Sequence, residues 1–316
     1  MEPEPSFPSP SLSLTSRWWS KETVAIVTGA NKGIGFAMVK RLAELGLTVI
    51  LTARDSERGL AAVEELKAQG VGDRVNFLCA LDVSDPASIK NFVAFFRTTF
   101  GALDILVNNA GVSFNEIEEK SSRVVLEQAV AETVINTNFC GPKLLTQALL
   151  PMFRRSSPNY VTRILNVSSR LGSLNKVRNS DIKRVLRSET LSEEDIDGVV
   201  SLFIENVKNG TWKTQGWPEY WTDYAVSKLA LNAYSKVLAK RYQGRGLSVN
   251  CFCPGFTQTS MTKGKGTHTA DDVACLGANL ALLPHQHLPT AKFFLVSAPP
   301  LSPGIGRIIV SSNSKL

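Results

Sequence analysis

Short apolar runs alternate along the chain with longer stretches whose apolar residues recur every three or four positions. The runs cover residues 23–27 (T-V-A-I-V), 48–52 (T-V-I-L-T), 75–80, 103–107 (L-D-I-L-V), 164–167 and 247–253. Each has the length of a strand, and each is apolar nearly throughout rather than at alternate positions, the pattern of a strand covered on both faces. The longer stretches, such as residues 36–45, 57–68, 88–100 and 126–153, carry the period of a helix. Strand and helix in turn predict a doubly wound α/β fold of three layers, α/β/α, with a mainly parallel sheet between helices.

Composition narrows this picture without changing it. With 316 residues, 43% of them hydrophobic, the chain can bury a large core. No apolar run approaches the ~18 residues that cross a bilayer, so no membrane span is expected. The 35 basic and 28 acidic residues leave a net charge of +7, which suits a phosphorylated cofactor. Without zinc spacing, an aromatic RNA-binding signature or a basic helix, nucleic acid is not expected as a partner. Cys79, Cys140, Cys251, Cys253 and Cys275 are few and odd in number, as in a reducing compartment. Cys251 and Cys253 lie within one strand run and read as core. His268, His285 and His287 have no cysteine or carboxylate at ligand spacing, so no metal site is expected.

Candidate chemistry begins where the first run ends, in T-G-A-N-K-G-I-G at residues 28–35. Gly29, Gly33 and Gly35, with Asn31, Lys32 and Ile34 among them, permit a tight turn whose backbone N–H groups meet a pyrophosphate at the positive end of the following helix. The second run closes in Ala53-Arg54. An NAD site would offer a carboxylate to the adenosine ribose there, whereas the Arg54 guanidinium suits a 2'-phosphate, so NADP(H) is expected, with Lys32 as a second positive charge. Tyr224 and Lys228 stand one helical turn apart in Y-A-V-S-K. A cation fixed beside a tyrosine favours the phenolate and lowers its pKa from about 10, which makes the pair an acid/base centre.

Further motifs follow in order: Leu81-Asp82-Val83, N-N-A-G at 108–111, T-N-F-C-G at 137–141, N-V-S-S at 166–169 and C-P-G-F-T-Q-T at 253–259. With them the chain resembles the short-chain dehydrogenase/reductase family, from about residue 20 to about residue 296. The resemblance implies a Rossmann fold and an oxidoreductase in which Tyr224 exchanges a proton with a carbonyl or alcohol oxygen while hydride passes to or from NADP(H). By the same resemblance Lys228 favours the phenolate and binds the nicotinamide ribose, Ser169 holds the substrate oxygen, and Asn138 anchors a water linked to Lys228. Asp82 and Val83 meet the adenine, Asn109, Ala110 and Gly111 leave room for the dinucleotide, Pro254, Gly255 and Phe256 shape the turn beneath it, and Thr259 binds the carboxamide.

Between Ser169 and Tyr224 the chain is longer than most of the family, which marks residues 171–222 as an insertion. Ser192 as N-cap, apolar residues at helical spacing from Ile196 to Val207 and Asn209-Gly210 as terminator predict one helix in it. Trp212, Trp217, Tyr220 and Trp221 follow, either as the wall of a hydrophobic substrate cavity or as staples to the core. This insertion resembles the subgroup that holds carbonyl, salutaridine and menthone reductases, which implies a small hydrophobic carbonyl or alcohol substrate and a monomer. Residues 256–269 read equally as a mobile substrate loop or an ordinary connection. The whole is expected as a leader without structure at 1–19, one reductase domain at 20–297 and a Pro/Ser-rich tail at 298–316. Ser314-Lys315-Leu316 matches a peroxisomal address, so the expected location is the cytoplasm or the peroxisome. The competing reading is a non-catalytic NADP(H)-binding sensor or partner-binding protein.

Overall fold

The computed structural model describes residues 17–115, 126–154, 160–296 and 308–310. Seven strands run parallel: β1 (Val24–Val27), β2 (Thr48–Leu51), β3 (Val75–Asn76), β4 (Ile105–Asn108), β5 (Thr162–Val167), β6 (Leu247–Cys253) and β7 (Phe293–Val296). An eighth, β8 (Ile308–Val310), is antiparallel to β7, and the order across the sheet is β3-β2-β1-β4-β5-β6-β7-β8. Val27 pairs with Leu51 on one side and with Val107 on the other. The direction of winding reverses between β1 and β4, which opens a crevice beyond their carboxyl ends.

The helices are α1 (Gly33–Glu44), α2 (Ser56–Ala68), α3 (Pro86–Thr99), α4 (Gln128–Ile135), α5 (Gly141–Leu149), α6 (Ser180–Arg187), α7 (Glu193–Lys208), α8 (Thr222–Arg241) and α9 (Ala270–Ala281). Short polar side chains start several of them: Asp55 accepts from the Arg58 N–H, Asp85 from the Ala87 N–H, and Ser192 with Asp195 and Thr269 with Asp272 form capping boxes. Helices α1, α2 and α9 bury Met38, Leu42, Leu66 and Val273 on one face of the sheet. On the other face α3, α4, α5 and α8 bury Phe92, Phe96, Ile135, Leu145 and Leu238, and α7 packs outside them through Val200 and Phe203.

Helix α8 is buried on nearly every side, so its polar groups must find partners inside the protein. Ser235 Oγ accepts from Asn166 Nδ2 at 2.8 Å, and Asn166 Oδ1 accepts from Asn108 Nδ2 at 2.8 Å. Asn232 bridges Ser168 and the Gly172 carbonyl. These bonds fix the height of α8 against the ends of β4 and β5.

Several expectations are corrected in detail. The run at 75–80 pairs for only two residues, because Phe77 turns onto α2, where a Cβ on Gly59 would lie 2.2 Å from its ring. The helical stretch at 126–153 is α4 and α5 joined by a π-turn at Asn136–Cys140. The leader is shortened at its inner end: Trp18 and Trp19 donate their indole N–H groups to the Leu282 and Leu45 carbonyls, and residues 1–16 lie outside the described residues. The tail at 298–316 contributes β8, while Ser314, Lys315 and Leu316 also lie outside them. The predicted helix of the insertion is α7, and a second, charged helix, α6, precedes it under an Asn179 cap. No helix among the described residues is long and apolar enough to cross a membrane.

Candidate active site

The crevice is floored by two laced turns. Thr28 Oγ1 accepts from the N–H groups of Asn109 and Ala110, both at 2.9 Å, and Asn109 Nδ2 donates to the carbonyls of Thr28 and Gly29. Asn109 thus braces the glycine turn. A Cβ on Gly35 would meet Asn109 Nδ2 at 2.5 Å and the Gly29 carbonyl oxygen at 2.8 Å, so only glycine lets the turn close here. Asn31, Gly33 and Ile34 are partly exposed in the same turn. The first turn of α1 has no side-chain cap and no acidic residue, which leaves its N–H groups for an anion.

Arg54 and Lys32 are exposed at the β2 side of the crevice, and neither takes part in an ion pair among the described residues. Asp82, partly exposed, spends Oδ1 on the N–H and hydroxyl of Ser84. Val83 is buried with its carbonyl against Gly141. On the far side Thr259 stands over the glycine turn, 3.5 Å from where a Gly33 Cβ would be. Pro254 is partly exposed and Gly255 and Phe256 are exposed. The Phe256 carbonyl accepts from the Thr267 N–H, and Gln258 N–H donates to the His268 carbonyl, so residues 256–269 form a cross-bonded loop.

Tyr224 lies in the first turn of α8, with Lys228 one turn on. Lys228 Nζ donates to the Val167 carbonyl at 2.9 Å and stands 5.6 Å from the centre of the Tyr224 ring. Burial, the first cause for both, pushes the tyrosine above its ordinary value and the ammonium down to about 8. The expected lowering of Tyr224 by its lysine gives way in this structure to a rise, set by desolvation and added to by Cys253. The Ser169 hydroxyl, close enough to favour the phenolate, opposes the shift. Ser169 also accepts from the Leu171 N–H at 3.1 Å, which anchors its turn.

Asn138 sits in the π-turn, fully buried. Its side chain accepts from the Val112 N–H and donates to the Val112 carbonyl and to Ser227 Oγ. It thereby pins the segment after N-N-A-G. A Cβ on Gly111 would stand 3.2 Å from Asn138 Oδ1 and 3.7 Å from Lys228 Nζ, so Gly111 lies between the two.

Two contributors, Gly172 and Asp223, escaped the sequence reading. Gly172 lets the Ser169 turn press on α8: a Cβ there would be 2.5 Å from the Lys228 carbonyl carbon. Asp223, fully buried, accepts from Asn115 Nδ2 and from the Tyr224 N–H, both at 2.8 Å. Trp221 takes a left-handed conformation, φ 47°, and sets its ring edge-on to Tyr224 at 5.9 Å. The aromatic cluster is thus divided. Trp212 and Trp217 are staples, Trp217 packing 5.1 Å from Phe203 with its N–H on Asn206, while Trp221 packs edge-on against Tyr224.

Comparison with known proteins identifies the family. Residues 23–180 match the short chain dehydrogenase family model, and residues 210–285 match a model described as enoyl-(acyl carrier protein) reductase. The chain is 41% identical over 286 residues to (+)-neomenthol dehydrogenase of Arabidopsis thaliana, covering 85% of this chain and 95% of that one. It is 36% identical over 272 residues to carbonyl reductase [NADPH] 1 of Mus musculus, covering 84% and 92%. The solved structure of salutaridine reductase from Papaver somniferum superposes with a TM-score of 0.78 at 36% identity, covering 86% and 99%. At 41% identity over 85% of its length to one such relative, the chain belongs to the short-chain dehydrogenase/reductase family.

Proposed function

We propose that the protein is an NADPH-dependent reductase of hydrophobic ketones or aldehydes, reversible toward alcohol oxidation. The observation that carries this reading is the convergence of Tyr224, Lys228 and Ser169 beside the glycine turn. The residues present fit NADP(H): the uncapped, acid-free N-terminus of α1 suits a pyrophosphate, Arg54 suits a 2'-phosphate, and bare Gly111 keeps space beside the Lys228 ammonium. When bound, the nicotinamide supplies the hydride.

The chain's own residues then handle the proton. Burial keeps the Tyr224 phenol protonated, the form that can donate to a carbonyl oxygen during reduction. Ser169 holds that oxygen by hydrogen bonding, and the Lys228 ammonium stabilises the phenolate left behind. Asn138 keeps Val112 and the neighbouring Gly111 in place. A hydrophobic substrate is supported by Phe114, Tyr220, Phe256 and Met261, large apolar side chains exposed on loops that join the catalytic elements.

The insertion supports a monomer, because α7 covers α4 and α8, and Glu193 ties it to Lys143, Gln147 and Arg241. Ser314-Lys315-Leu316 supports a peroxisomal location, with the cytoplasm as the alternative; tagged chains with and without the tripeptide decide between them. The central test is a carbonyl panel with NADPH. Turnover by the wild type, lowered roughly 10²–10⁴-fold in Tyr224→Phe with NADPH binding kept, is expected. Absence of turnover across the panel, or an active Tyr224→Phe, returns the reading to a non-catalytic NADP(H)-binding sensor.

A further inference from the structure

The positive charge of the chain is concentrated at one place. Residues 170–187 hold six cations, Arg170, Lys176, Arg178, Lys183, Arg184 and Arg187, against one acid, Asp181, a surplus of five where the whole chain has a surplus of seven. All but the partly buried Lys183 are exposed. Helix α6 turns Ile182 and Leu186 inward, so its charged side is the outer one. Asp181 pairs with Arg184, and Arg178 pairs with Glu219, whereas Arg170, Lys176, Lys183 and Arg187 take part in no ion pair among the described residues. The patch is held beside the catalytic helix. The N–H groups of Arg178 and Asn179 donate to the Gly216 carbonyl, and Asn179 Nδ2 donates to that of Gln215, which joins the start of α6 to the stretch leading through Tyr220 into α8. Tyr220 is exposed there, and Phe114, Phe256 and Met261 are exposed on the segments that follow β4 and β6. Segments that follow parallel strands leave the sheet at one edge, so the cations and these apolar side chains share the end at which the crevice opens.

A compact group of about four to eight cations bordered by exposed apolar side chains suits an anionic membrane, where the charges meet lipid headgroups and the apolar groups enter the interface. We propose that the basic face of the insertion, with Tyr220 at its border, is a docking surface for an anionic lipid bilayer. Nucleic acid or an acidic protein would satisfy the cations alone and leave the apolar border without a partner. Docking of this kind is peripheral, because no helix among the described residues is long and apolar enough to cross a membrane. It goes beyond the reductase reading and stands without it. Its consequence for substrate supply does rest on that reading: a hydrophobic ketone dissolved in the bilayer then lies beside the mouth of the crevice.

The experiment measures co-sedimentation of the full chain, without cofactor or carbonyl, with vesicles of phosphatidylcholine alone and of phosphatidylcholine with about 30% phosphatidylserine. The wild type is expected on the anionic vesicles only, and to leave them as salt rises from ~0.1 M to ~0.5 M and the Debye length shrinks. Lys176→Gln with Arg187→Gln should lower the partition coefficient roughly 30-fold, because each cation near such a surface contributes about a factor of five. Lys90→Gln with Arg97→Gln removes two exposed cations of α3 that also lack ion pairs, and binding should stay within about twofold of wild type. Equal binding to both vesicle types, binding to neither, or an equal loss in the two double variants overturns the proposal. An oligonucleotide or polyglutamate that strips the protein from the vesicles at equal charge concentration assigns the patch to another polyanion and overturns it as well. Melting temperatures identify a variant that misfolds, in which case Lys183→Gln with Arg187→Gln must give the same fall. Since no turnover is read, failure of docking leaves the reductase reading standing, and an inactive protein that still docks leaves this proposal standing.

Discussion

Replacing Lys228 by methionine should make the protein more stable while it destroys activity. Lys228 is 4% exposed, and burial brings its ammonium from 10.5 down to about 8. Holding the charge inside therefore costs ~3 kcal/mol at neutral pH. Methionine has a similar length and no charge. The substitution also loses the bond from Nζ to the Val167 carbonyl, worth ~1 kcal/mol. The net gain is ~2 kcal/mol, roughly 3–5 °C in Tm for a chain of this size. The pH dependence identifies the cause. Below about 8 the lysine is protonated in both states and the cost is present in full. Between about 8 and 10.5 the unfolded chain holds the extra proton, so wild-type stability rises with pH, and the variant lacks this rise. Urea unfolding of both cofactor-free proteins from pH 7 to 10 measures the difference. A variant less stable at pH 7, or an advantage that does not shrink as pH rises, refutes the reasoning. The same titration bears on catalysis, since reduction should slow as pH rises through about 8 and the ammonium beside Tyr224 is lost.

Gly172→Ala places a methyl group against the backbone of Lys228 and Leu229; a loss of ~1–3 kcal/mol in unfolding free energy and a fall in kcat larger than any change in KM are expected. Arg54→Ala should raise the KM for NADPH by roughly tenfold or more and leave that for NADH nearly unchanged, as read by steady-state kinetics with both cofactors. Glu193→Ala removes the carboxylate that joins α7 to Lys143 and Arg241; a loss of ~1–3 kcal/mol in thermal unfolding is expected, with a shift toward oligomers in sedimentation if α7 loosens.

The strands and the chemistry were legible because each depends on local pattern. Continuous apolar runs predicted β1, β2, β4, β5 and β6, and the glycine spacing predicted the turn before α1. What stayed hidden depends on distant partners. The π-turn at Asn136–Cys140 keeps helical periodicity on both sides, so the extra residue leaves no mark, although Asn138 bonding Val112 sits inside it. Gly172 is a turn glycine until α8 is brought against it. Helix α6 is rich in charge, and only Ile182 and Leu186 reach the interior. The loop at 256–269 read equally as a mobile substrate loop or an ordinary connection, because the pairing of its carbonyls and N–H groups across its own base leaves no mark in the sequence. Tyr224 carries the clearest lesson. Sequence spacing gave its cation, but only the packed structure shows how dry its surroundings are, and dryness sets the direction of its titration.

The short strand β8 has a consequence for handling the protein. It pairs with Phe294, Leu295 and Val296 of β7, so the outermost N–H and C=O groups of that apolar strand are not offered to solvent. An uncovered edge of this kind is a template for strand addition by another molecule. A version of the chain cut before Ile308 would present β7 as a sticky margin. Self-association after trimming should then be attributed to the missing three-residue cover, and fusions or tags are better placed so that residues 308–310 keep their seat.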